Sequence, residues 1–182
     1  MSDREKIEYN YSNFFVECVV KVDDYGGRGI YLTTDVSKGT KLVNVCCSTA
    51  EDALKNHFPL NKIGELSDIA LSHAIQVDAE HVCIDPDELL GEDGKLAINF
   101  INHHCNPSTW FVPNSFILEA RHNMLAGDEI TFDYATVDYL PVLLDMKCEC
   151  KSTSCRKTIV GSKHIAQFYY PHVSKHMANI IK

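Results

Sequence analysis

The sequence predicts a mostly β fold with short helices, organised as one main domain. Short runs rich in β-branched and aromatic residues alternate with turns that contain glycine or aspartate, a pattern typical of short strands. The length of 182 residues is close to that of a single domain. Hydrophobic residues make up 45% of the chain and charged residues 23%, so the chain can bury a core without disulfide bonds.

Short elements follow one another along the chain. The β-branched and aromatic runs predict strands at residues 13–22, 30–34, 41–47, 73–77, 81–84, 116–122 and 129–132. A capping-box pattern at residues 48–51 predicts a short helix, and residues 61–72 hold one or two further helical turns. From Ser162 onward the pattern is helical again, with an interruption at Pro171.

The charge of the chain favours a basic partner. Lys and Arg number 17 and Asp and Glu number 25, so the formal net charge is −8. Binding DNA or RNA through phosphates needs a basic face, so we expect no direct nucleic-acid binding and a basic protein or peptide instead. The chain has no apolar run long enough for a membrane and no signal-peptide pattern, which predicts an intracellular protein in the nucleus or cytoplasm.

The cysteines fall into two groups. Four of the eight lie among apolar residues, whereas Cys148, Cys150 and Cys155 crowd one short polar stretch. Because disulfides are rare inside cells and unpaired surface thiols are reactive, this stretch predicts a metal site. Structural zinc takes four ligands, so a fourth must come from elsewhere. Cys105 is the first candidate for it. The alternatives are His103, His104 and His164.

Three further clusters combine polar residues with turn residues. The glycines within residues 26–29 let a backbone approach a ligand closely, or they form a hairpin turn. Residues 99–107, NFINHHCNP, could contact a ligand or a metal, or form a capped turn. Residues 127–134, GDEITFDY, form a turn and a strand that ends in Phe-Asp-Tyr, where the last tyrosine could also serve packing alone.

Taken together, the four clusters resemble the motifs of the SET-domain lysine methyltransferases, in the order of that family. The matching parts are Gly27-Arg28-Gly29, the stretch from Phe100 to Pro107, the stretch 127–134, and three cysteines with C-x-C-x4-C spacing before Arg156. The resemblance covers nearly the whole chain. It implies a SET-domain β-clip fold of small curled sheets closed by a pseudoknot, followed by a small zinc-binding post-SET segment and a C-terminal helix.

The resemblance also implies a division of the chain and a cofactor. It implies an N-terminal tail at 1–11, a SET domain at 12–140, and a post-SET segment with a C-terminal helix at 141–182. S-adenosylmethionine is the implied cofactor. The residues that would hold it are Gly27, Arg28 and Gly29 through their backbone, and Asn102 and His103 at the methionine amino group and the adenine edge.

The catalytic and metal-binding residues are implied in the same way. Tyr134 would lie at the base of the lysine channel. Phe132 would set how many methyl groups are added, and because it lacks a hydroxyl we expect di- or trimethylation to be possible. An aromatic residue among 168–170 would cover the adenine or the channel. The ligands of one zinc ion would be Cys105, Cys148, Cys150 and Cys155.

Several positions depart from the family pattern. His73 stands where the family has a channel tyrosine, so an imidazole would replace an aromatic hydroxyl at the lysine channel. A partly buried structural histidine is the alternative. Asn99 stands where the family has an arginine, and His104 where it has a serine. Residues 49–70 match no specific part of the family pattern, and no pre-SET cysteine cluster is present.

The sequence therefore predicts a protein-lysine N-methyltransferase. A histone tail is the default substrate, and a non-histone protein is the alternative. A different class of function is a SET-fold binding or scaffolding module with little or no turnover. A zinc-stabilised interaction domain is a third hypothesis, and it alone predicts no cofactor binding. Loss of methyl transfer in Tyr134→Phe, with binding retained, would support the enzyme.

Overall fold

The computed structural model of the chain describes residues 8–22, 27–46, 56–89, 95–137, 146–159 and 163–181. Within these ranges the backbone forms twelve short strands and four short α-helices, which confirms the predicted mostly β fold with short helices. The first seven residues of the predicted tail, residues 23–26 of the first glycine turn and the predicted capping-box helix at 48–51 lie outside the described residues.

The strands are two to five residues long. They are β1 (Cys18–Val22), β2 (Arg28–Leu32), β3 (Lys41–Asn44), β4 (His57–Pro59), β5 (Ile75–Gln76), β6 (His81–Cys83), β7 (Asn102–His103), β8 (Thr109–Phe111), β9 (Ile117–Ala120), β10 (Thr131–Phe132), β11 (Met146–Lys147) and β12 (Thr158–Ile159). They pair antiparallel as β1-β2, β3-β9-β8, β4-β6-β5 and β11-β12, while β7 and β10 pair parallel.

The helices lie between and after these sheets. The α-helices are α1 (Asp68–His73), α2 (Pro86–Leu89), α3 (Lys163–Tyr169) and α4 (Lys175–Ile181). Single 3-10 helices occur at Leu60–Glu65, Ala97–Phe100 and Tyr134–Thr136. The Ser67 side chain caps α1 by accepting a hydrogen bond from the backbone N–H of Ala70. None of the helices in the described ranges is long and apolar enough to span a membrane.

The main hydrophobic core lies around β2, β3, β8 and β9, and we call it the strand core. Most of its apolar side chains come from predicted β-branched and aromatic runs, and Phe111 comes from β8, which was not predicted. Six of its fully buried members are Ile30, Leu42, Val43, Phe111, Leu118 and Ile130. Each side chain of this kind stabilises the fold by about 1.5–3 kcal/mol. Two smaller clusters pack around the cysteines and between the C-terminal helices.

Some element boundaries differ from those predicted. The expected strand at 73–77 begins only at Ile75, because His73 is the last residue of α1. Strand β4 was not predicted, and its Pro59 is tolerated because β4 is an edge strand of its sheet. Strand β8 was also missed, because it lies directly after the polar turn that ends at Pro107 and is only three residues long.

The parallel pair of β7 and β10 brings two sequence motifs together. Asn102 lies opposite Thr131, and His103 lies opposite Phe132. The backbone N–H of His104 also donates to the carbonyl of Phe132 over 3.1 Å. This pairing joins segments that are distant in the sequence, and it positions the side chains described next.

Candidate functional site

A cleft of about 800 Å³ opens beside the β7-β10 pair. Its lining includes all five residues that the resemblance assigned to the cofactor, namely Gly27, Arg28, Gly29, Asn102 and His103. Strand β2 supplies one wall and β7 another. The opposite wall comes from residues 146–159, which we call the cysteine segment. The structure thus gathers the predicted cofactor residues at one cavity.

Gly29 allows β2 to lie close against β7 and against Glu129, which precedes β10. A Cβ atom added at Gly29 would lie 2.6 Å from Glu129 Oε1 and 3.1 Å from Asn102 Nδ2. The Asn102 side chain donates to Glu129 Oε1 over 2.8 Å and to the carbonyl of Arg28 over 2.9 Å. The glycine therefore leaves the space in which this hydrogen-bonded group forms at the wall of the cleft.

The imidazole of His103 is buried between β10 and the cysteines. Its Nδ1 accepts the backbone N–H of Tyr134 over 3.2 Å, and its Nε2 lies 3.2 Å from Cys105 Sγ. The pKa of His103 is lowered to about 4, mainly by burial. The charge of Asp133 opposes this shift, and the charge of Arg156 adds to it. The imidazole is therefore neutral at physiological pH and connects the Tyr134 backbone to a cysteine thiol.

A small cavity of about 40 Å³, which we call the tunnel, shares Ser72, His73, Asn99 and Tyr134 with the lining of the cleft. The Tyr134 hydroxyl donates to the carbonyl of Ile101 over 2.9 Å, and its ring lies 4.9 Å from that of Phe132. Most of the remaining wall is apolar. The residues that line the tunnel are Ser72, His73, Ala74, Ile75, Ile98, Asn99, Ile101, Phe132 and Tyr134. Phe132 and Tyr134, to which the resemblance gave roles at the lysine channel, therefore line the same cavity.

His73 lines both the tunnel and the cleft from the end of α1. Its Nδ1 lies 2.6 Å from Oε1 of Glu88, whose side chain is only 1% exposed. The Asn99 side chain donates to Glu88 and to Asp85 as well. His73 thus combines access to both cavities with a buried carboxylate partner, which the sequence analysis did not predict.

The four predicted zinc ligands form one cluster. The thiols of Cys105, Cys148, Cys150 and Cys155 all lie within 4.8 Å of one another. Cys148 Sγ lies 3.7 Å from Cys105 Sγ and 3.6 Å from Cys155 Sγ. Sulfur atoms bound tetrahedrally to zinc at about 2.3 Å are about 3.8 Å apart, so the cluster could hold one zinc ion.

The thiols also have the chemistry that zinc needs. Burial raises the pKa of the Cys148 thiol, and it would raise that of Cys150 as well. Hydrogen bonds from backbone N–H groups and neighbouring thiols outweigh burial at Cys150 and lower its pKa overall. A thiolate is the form of cysteine that binds metal, so Cys150 is the thiol that most readily provides it.

Comparison with known families agrees with this geometry. The SET-domain family model matches residues 27–135, which is more than half of the chain. The chain belongs to the SET-domain family. Both the resemblance and the predicted SET-domain fold are confirmed, and SET proteins are generally protein-lysine methyltransferases that use S-adenosylmethionine. The chain matches none of the curated proteins with which it was compared.

An ion pair connects the cysteine segment of this SET-domain protein to its core. The two terminal nitrogens of Arg156 each lie 2.7 Å from an oxygen of Asp133, whose side chain is fully buried. Burial alone would lower the pKa of Arg156, but the hydrogen bonds and charge of Asp133 raise it overall. The sequence analysis included Arg156 in the cysteine motif without predicting its partner, although an aspartate between Phe132 and Tyr134 was a possible signal.

The C-terminal aromatic residues lie away from both cavities. Phe168 is 89% exposed, and the Tyr169 hydroxyl donates to the carbonyl of Cys105 over 3.4 Å. Burial raises the pKa of Tyr169 to about 12. In the described part of the chain, no residue of the range 168–170 lines the cleft or the tunnel. Of the alternative zinc ligands, the side chain of His164 lies outside the described residues.

Proposed function

We propose that this SET-domain protein is an S-adenosylmethionine-dependent protein-lysine N-methyltransferase that acts on a histone tail. The observation that carries the proposal is that Tyr134 lines two cavities, a cleft of about 800 Å³ and the much smaller tunnel. A methyl donor in the cleft and a lysine side chain in the tunnel would face each other there. Such alignment supplies a large part of the rate of a two-substrate transfer.

The cleft fits the proposed cofactor. Its volume of about 800 Å³ can hold a molecule of nucleoside size. Gly29 supports this fit, because a side chain at that position would displace Glu129 and Asn102 from the wall of the cleft. We assign Gly27, Gly29 and Asn102 to cofactor binding, together with Arg28 and His103. S-adenosylmethionine would supply an electrophilic methyl group.

The residues at the meeting point suit amine methylation. A lysine ammonium has a pKa near 10.4 in water, and its nitrogen cannot attack until a proton leaves. The apolar tunnel favours the neutral amine. The phenolic oxygen of Tyr134 and the carbonyl of Ile101 place partial negative charge at the point where positive charge is transferred. We assign Tyr134 as a catalytic residue on this ground.

Phe132 supports transfer of more than one methyl group. Its buried ring lies beside Tyr134 and carries no hydroxyl that could hold the amine in a single orientation. We therefore propose that the products include di- or trimethyllysine. Mass spectrometry of the products at early and late times reads this directly.

The cysteine segment is proposed as a zinc-binding post-SET segment within residues 141–182, after a SET domain at 12–140 and a tail at 1–11. Met146, Cys148, Cys150 and Ile159 line the cleft from this segment. A zinc ion on the four thiols would hold them there. The ion would have a structural role, because four protein ligands leave no open coordination position.

A basic peptide is the proposed substrate, and the nucleus or cytoplasm the proposed location. The net charge of −8 supports a basic substrate, since an acidic protein attracts a basic tail. The compartment stays a prediction from the sequence.

Transfer of a labelled methyl group tests the proposal. Labelled S-adenosylmethionine is incubated with core histones, histone peptides and a cell lysate, using wild type, Tyr134→Phe and Tyr11→Phe. We expect label on one class of protein, and a rate at least about 100-fold lower in Tyr134→Phe. Tyr11→Phe is the matched control, because its hydroxyl accepts the backbone N–H of Val20 outside both cavities.

The other outcomes separate the alternatives. Calorimetric binding of S-adenosylmethionine without transfer to any substrate would favour a binding or scaffolding module. Absence of both transfer and cofactor binding would contradict the proposed function.

A further inference from the structure

We propose that His73 and Glu88 form a proton-accepting pair, in which the imidazole takes the proton of the substrate ammonium and Glu88 holds the imidazolium during methyl transfer. This inference rests on the proposed methyltransferase function. It assigns His73 a catalytic role and Glu88 a positioning role.

The contact between the two side chains is short and shielded from water. His73 Nδ1 lies 2.6 Å from Glu88 Oε1, and the exposed fractions of the two side chains are 23% and 1%. A carboxylate that is taken out of water attracts a neighbouring positive charge strongly. A carboxylate bonded to one imidazole nitrogen also orients the ring and leaves the other nitrogen for proton transfer.

Among the described residues, no lysine or arginine forms an ion pair with Glu88. The Asn99 side chain donates to Glu88 Oε1 over 3.0 Å and to Asp85 Oδ2 over 3.1 Å, so one amide bridges two buried carboxylates. Glu88 Oε2 is buried and has no hydrogen-bond partner among the described residues. Within those residues, His73 is the ion-pair partner of Glu88. A proton on His73 would therefore compensate a buried negative charge.

His73 is well placed to receive the proton. Of the described side chains that line the tunnel, only those of His73 and Tyr134 titrate, and the Tyr134 hydroxyl already donates to Ile101. His73 also lines a third cavity of about 330 Å³, together with Asp85, Asp87 and Lys95. This cavity offers a polar route by which the proton can later reach water.

Charged groups of both signs lie around His73. Glu88, Asp85 and Asp87 approach it from α2 and the residue before that helix. Two cations lie nearby: Lys95 lines the third cavity with Asp85 and Asp87, and Arg28 lies over the ring of Phe100, which packs against His73. Tyr134 faces it across the tunnel.

The proposed step balances in protons and electrons. An N–H bond of the substrate ammonium breaks, its proton moves to His73 Nε2, and the electron pair stays on the amine nitrogen. That pair forms a bond to the methyl carbon of a sulfonium donor while the carbon–sulfur bond breaks, which yields a methylammonium group and a neutral thioether. The imidazolium then releases its proton to water, which restores the neutral pair.

The pH dependence of kcat/KM tests the inference. When the proton stays on His73 during transfer, the reacting complex holds the same number of protons as free enzyme and ammonium substrate. We therefore expect the wild-type value to change less than about threefold from pH 7 to pH 9. In His73→Gln the proton must leave to water, so kcat/KM should rise about tenfold per pH unit below the lysine pKa near 10.4. At pH 7 this variant should be about 100-fold slower.

Two further variants complete the experiment. Glu88→Gln keeps a hydrogen-bond acceptor for His73 but removes the charge that would hold the imidazolium, so we expect its kcat/KM at pH 7 to lie below the wild-type value. His81→Gln is the matched control, because His81 also contacts a carboxylate, that of Asp78 at 3.0 Å, on the exposed surface outside the tunnel. It should keep the wild-type profile. Calorimetry should show unchanged cofactor affinity in Glu88→Gln and His81→Gln, because neither residue lines the cleft.

The outcomes are distinct. Parallel profiles for wild type and His73→Gln, with transfer in both, would overturn the inference and leave the methyltransferase function intact. A wild-type kcat/KM that rises tenfold per pH unit would also overturn the inference. This outcome needs no variant, so it holds even if His73→Gln failed to fold. Absence of transfer by the wild type would contradict the proposed function itself.

Discussion

The strand core and the cysteine segment are stabilised in different ways. Fully buried apolar side chains on β2, β3, β8 and β9 stabilise the strand core, and backbone ladders pair these strands. The cysteine segment has one two-stranded ladder, four converging thiols and the ion pair between Arg156 and Asp133. The strand core should therefore fold without metal, whereas the position of the cysteine segment depends on a few polar contacts and on the ion that the thiols bind.

This difference matters because the cleft is built from both regions. Gly29 and Asn102 belong to the wall next to the strand core, and Cys148 and Cys150 belong to the other wall. Disturbing the cysteine segment should therefore affect ligand binding before it affects the core. The following predictions test that order, and the largest expected effect comes first.

Cys150→Ser should remove the metal and leave the core folded. Loss of one thiolate of four should lower zinc affinity at least about 100-fold, because metal binding free energy depends on the complete ligand set. Metal analysis of purified protein and calorimetry with S-adenosylmethionine measure the result. We expect cofactor affinity to fall while the strand signal in circular dichroism is kept.

Cys18→Ser is the matched control for this prediction. Cys18 is half-buried on β1 and lies outside the thiol cluster, so its variant should keep one zinc ion per chain. Full zinc content in Cys150→Ser would contradict the ligand assignment, and global unfolding would contradict the separation of the two regions.

Arg156→Ala should destabilise the chain by roughly 2–3 kcal/mol, because it leaves the buried Asp133 carboxylate without its charged partner. Chemical denaturation measures this change in the free energy of unfolding. Lys147→Ala removes the cation of a fully exposed pair with Glu149 in the same segment and should have no measurable effect. Equal effects of the two variants would show that the buried pair is not the main link between the regions.

Gly29→Ala should weaken cofactor binding about tenfold, which corresponds to about 1.4 kcal/mol. The added Cβ would lie 2.6 Å from Glu129 Oε1, so this carboxylate or β2 must move at the wall of the cleft. Gly64→Ala is the control, because a Cβ there meets no atom within 4 Å. Calorimetry measures the affinity of both variants for S-adenosylmethionine. An unchanged affinity in Gly29→Ala would show that this wall of the cleft does not contribute to cofactor binding.

The smallest expected effect is a loss of stability at acid pH, and it depends on the C-terminal helix α4. Burial lowers the pKa of His176 on α4, against the opposing charge of Asp78. The unfolded chain therefore takes up a proton below about pH 6.5 that the folded chain does not, so this contribution to stability is lost as the pH falls below that value. Thermal unfolding measures the stability at pH 7.5 and at pH 5. The loss of stability between these two pH values should be smaller in His176→Gln than in wild type.

The control for the acid experiment is an exposed histidine. His122→Gln changes a side chain on the surface and should lose as much stability as wild type on acidification. An equal loss in His176→Gln would mean that the buried imidazole does not contribute to the acid sensitivity.

Several features followed from the sequence because they depend on local spacing. The β-branched runs at 30–34 and 41–47 predicted β2 and β3, since a strand needs only alternating side chains to identify it. The spacing of Cys148, Cys150 and Cys155 predicted one shared site in the same way, and Cys105 was expected as its fourth member.

Other features depended on contacts between distant residues. Glu88 lies 15 residues after His73, and Arg156 lies 23 residues after Asp133, and neither spacing signals a contact. His73 was expected in a strand, but Ser67 caps a helix that continues to it and turns its imidazole toward Glu88. Strand β4 was hidden because its partner β6 lies beyond α1.

The sequence by itself determined the kinds of residue available to the site: flexible glycines, a Phe-Asp-Tyr strand end and a set of thiols. The tertiary structure decided where they meet. The parallel pairing of β7 with β10 brings Asn102 and His103 beside the strand that precedes Tyr134, and Tyr134 lines both the cleft and the tunnel. The physical reason is that such pairing is selected by the packing of the whole core, which outweighs the local preferences of any two-residue strand.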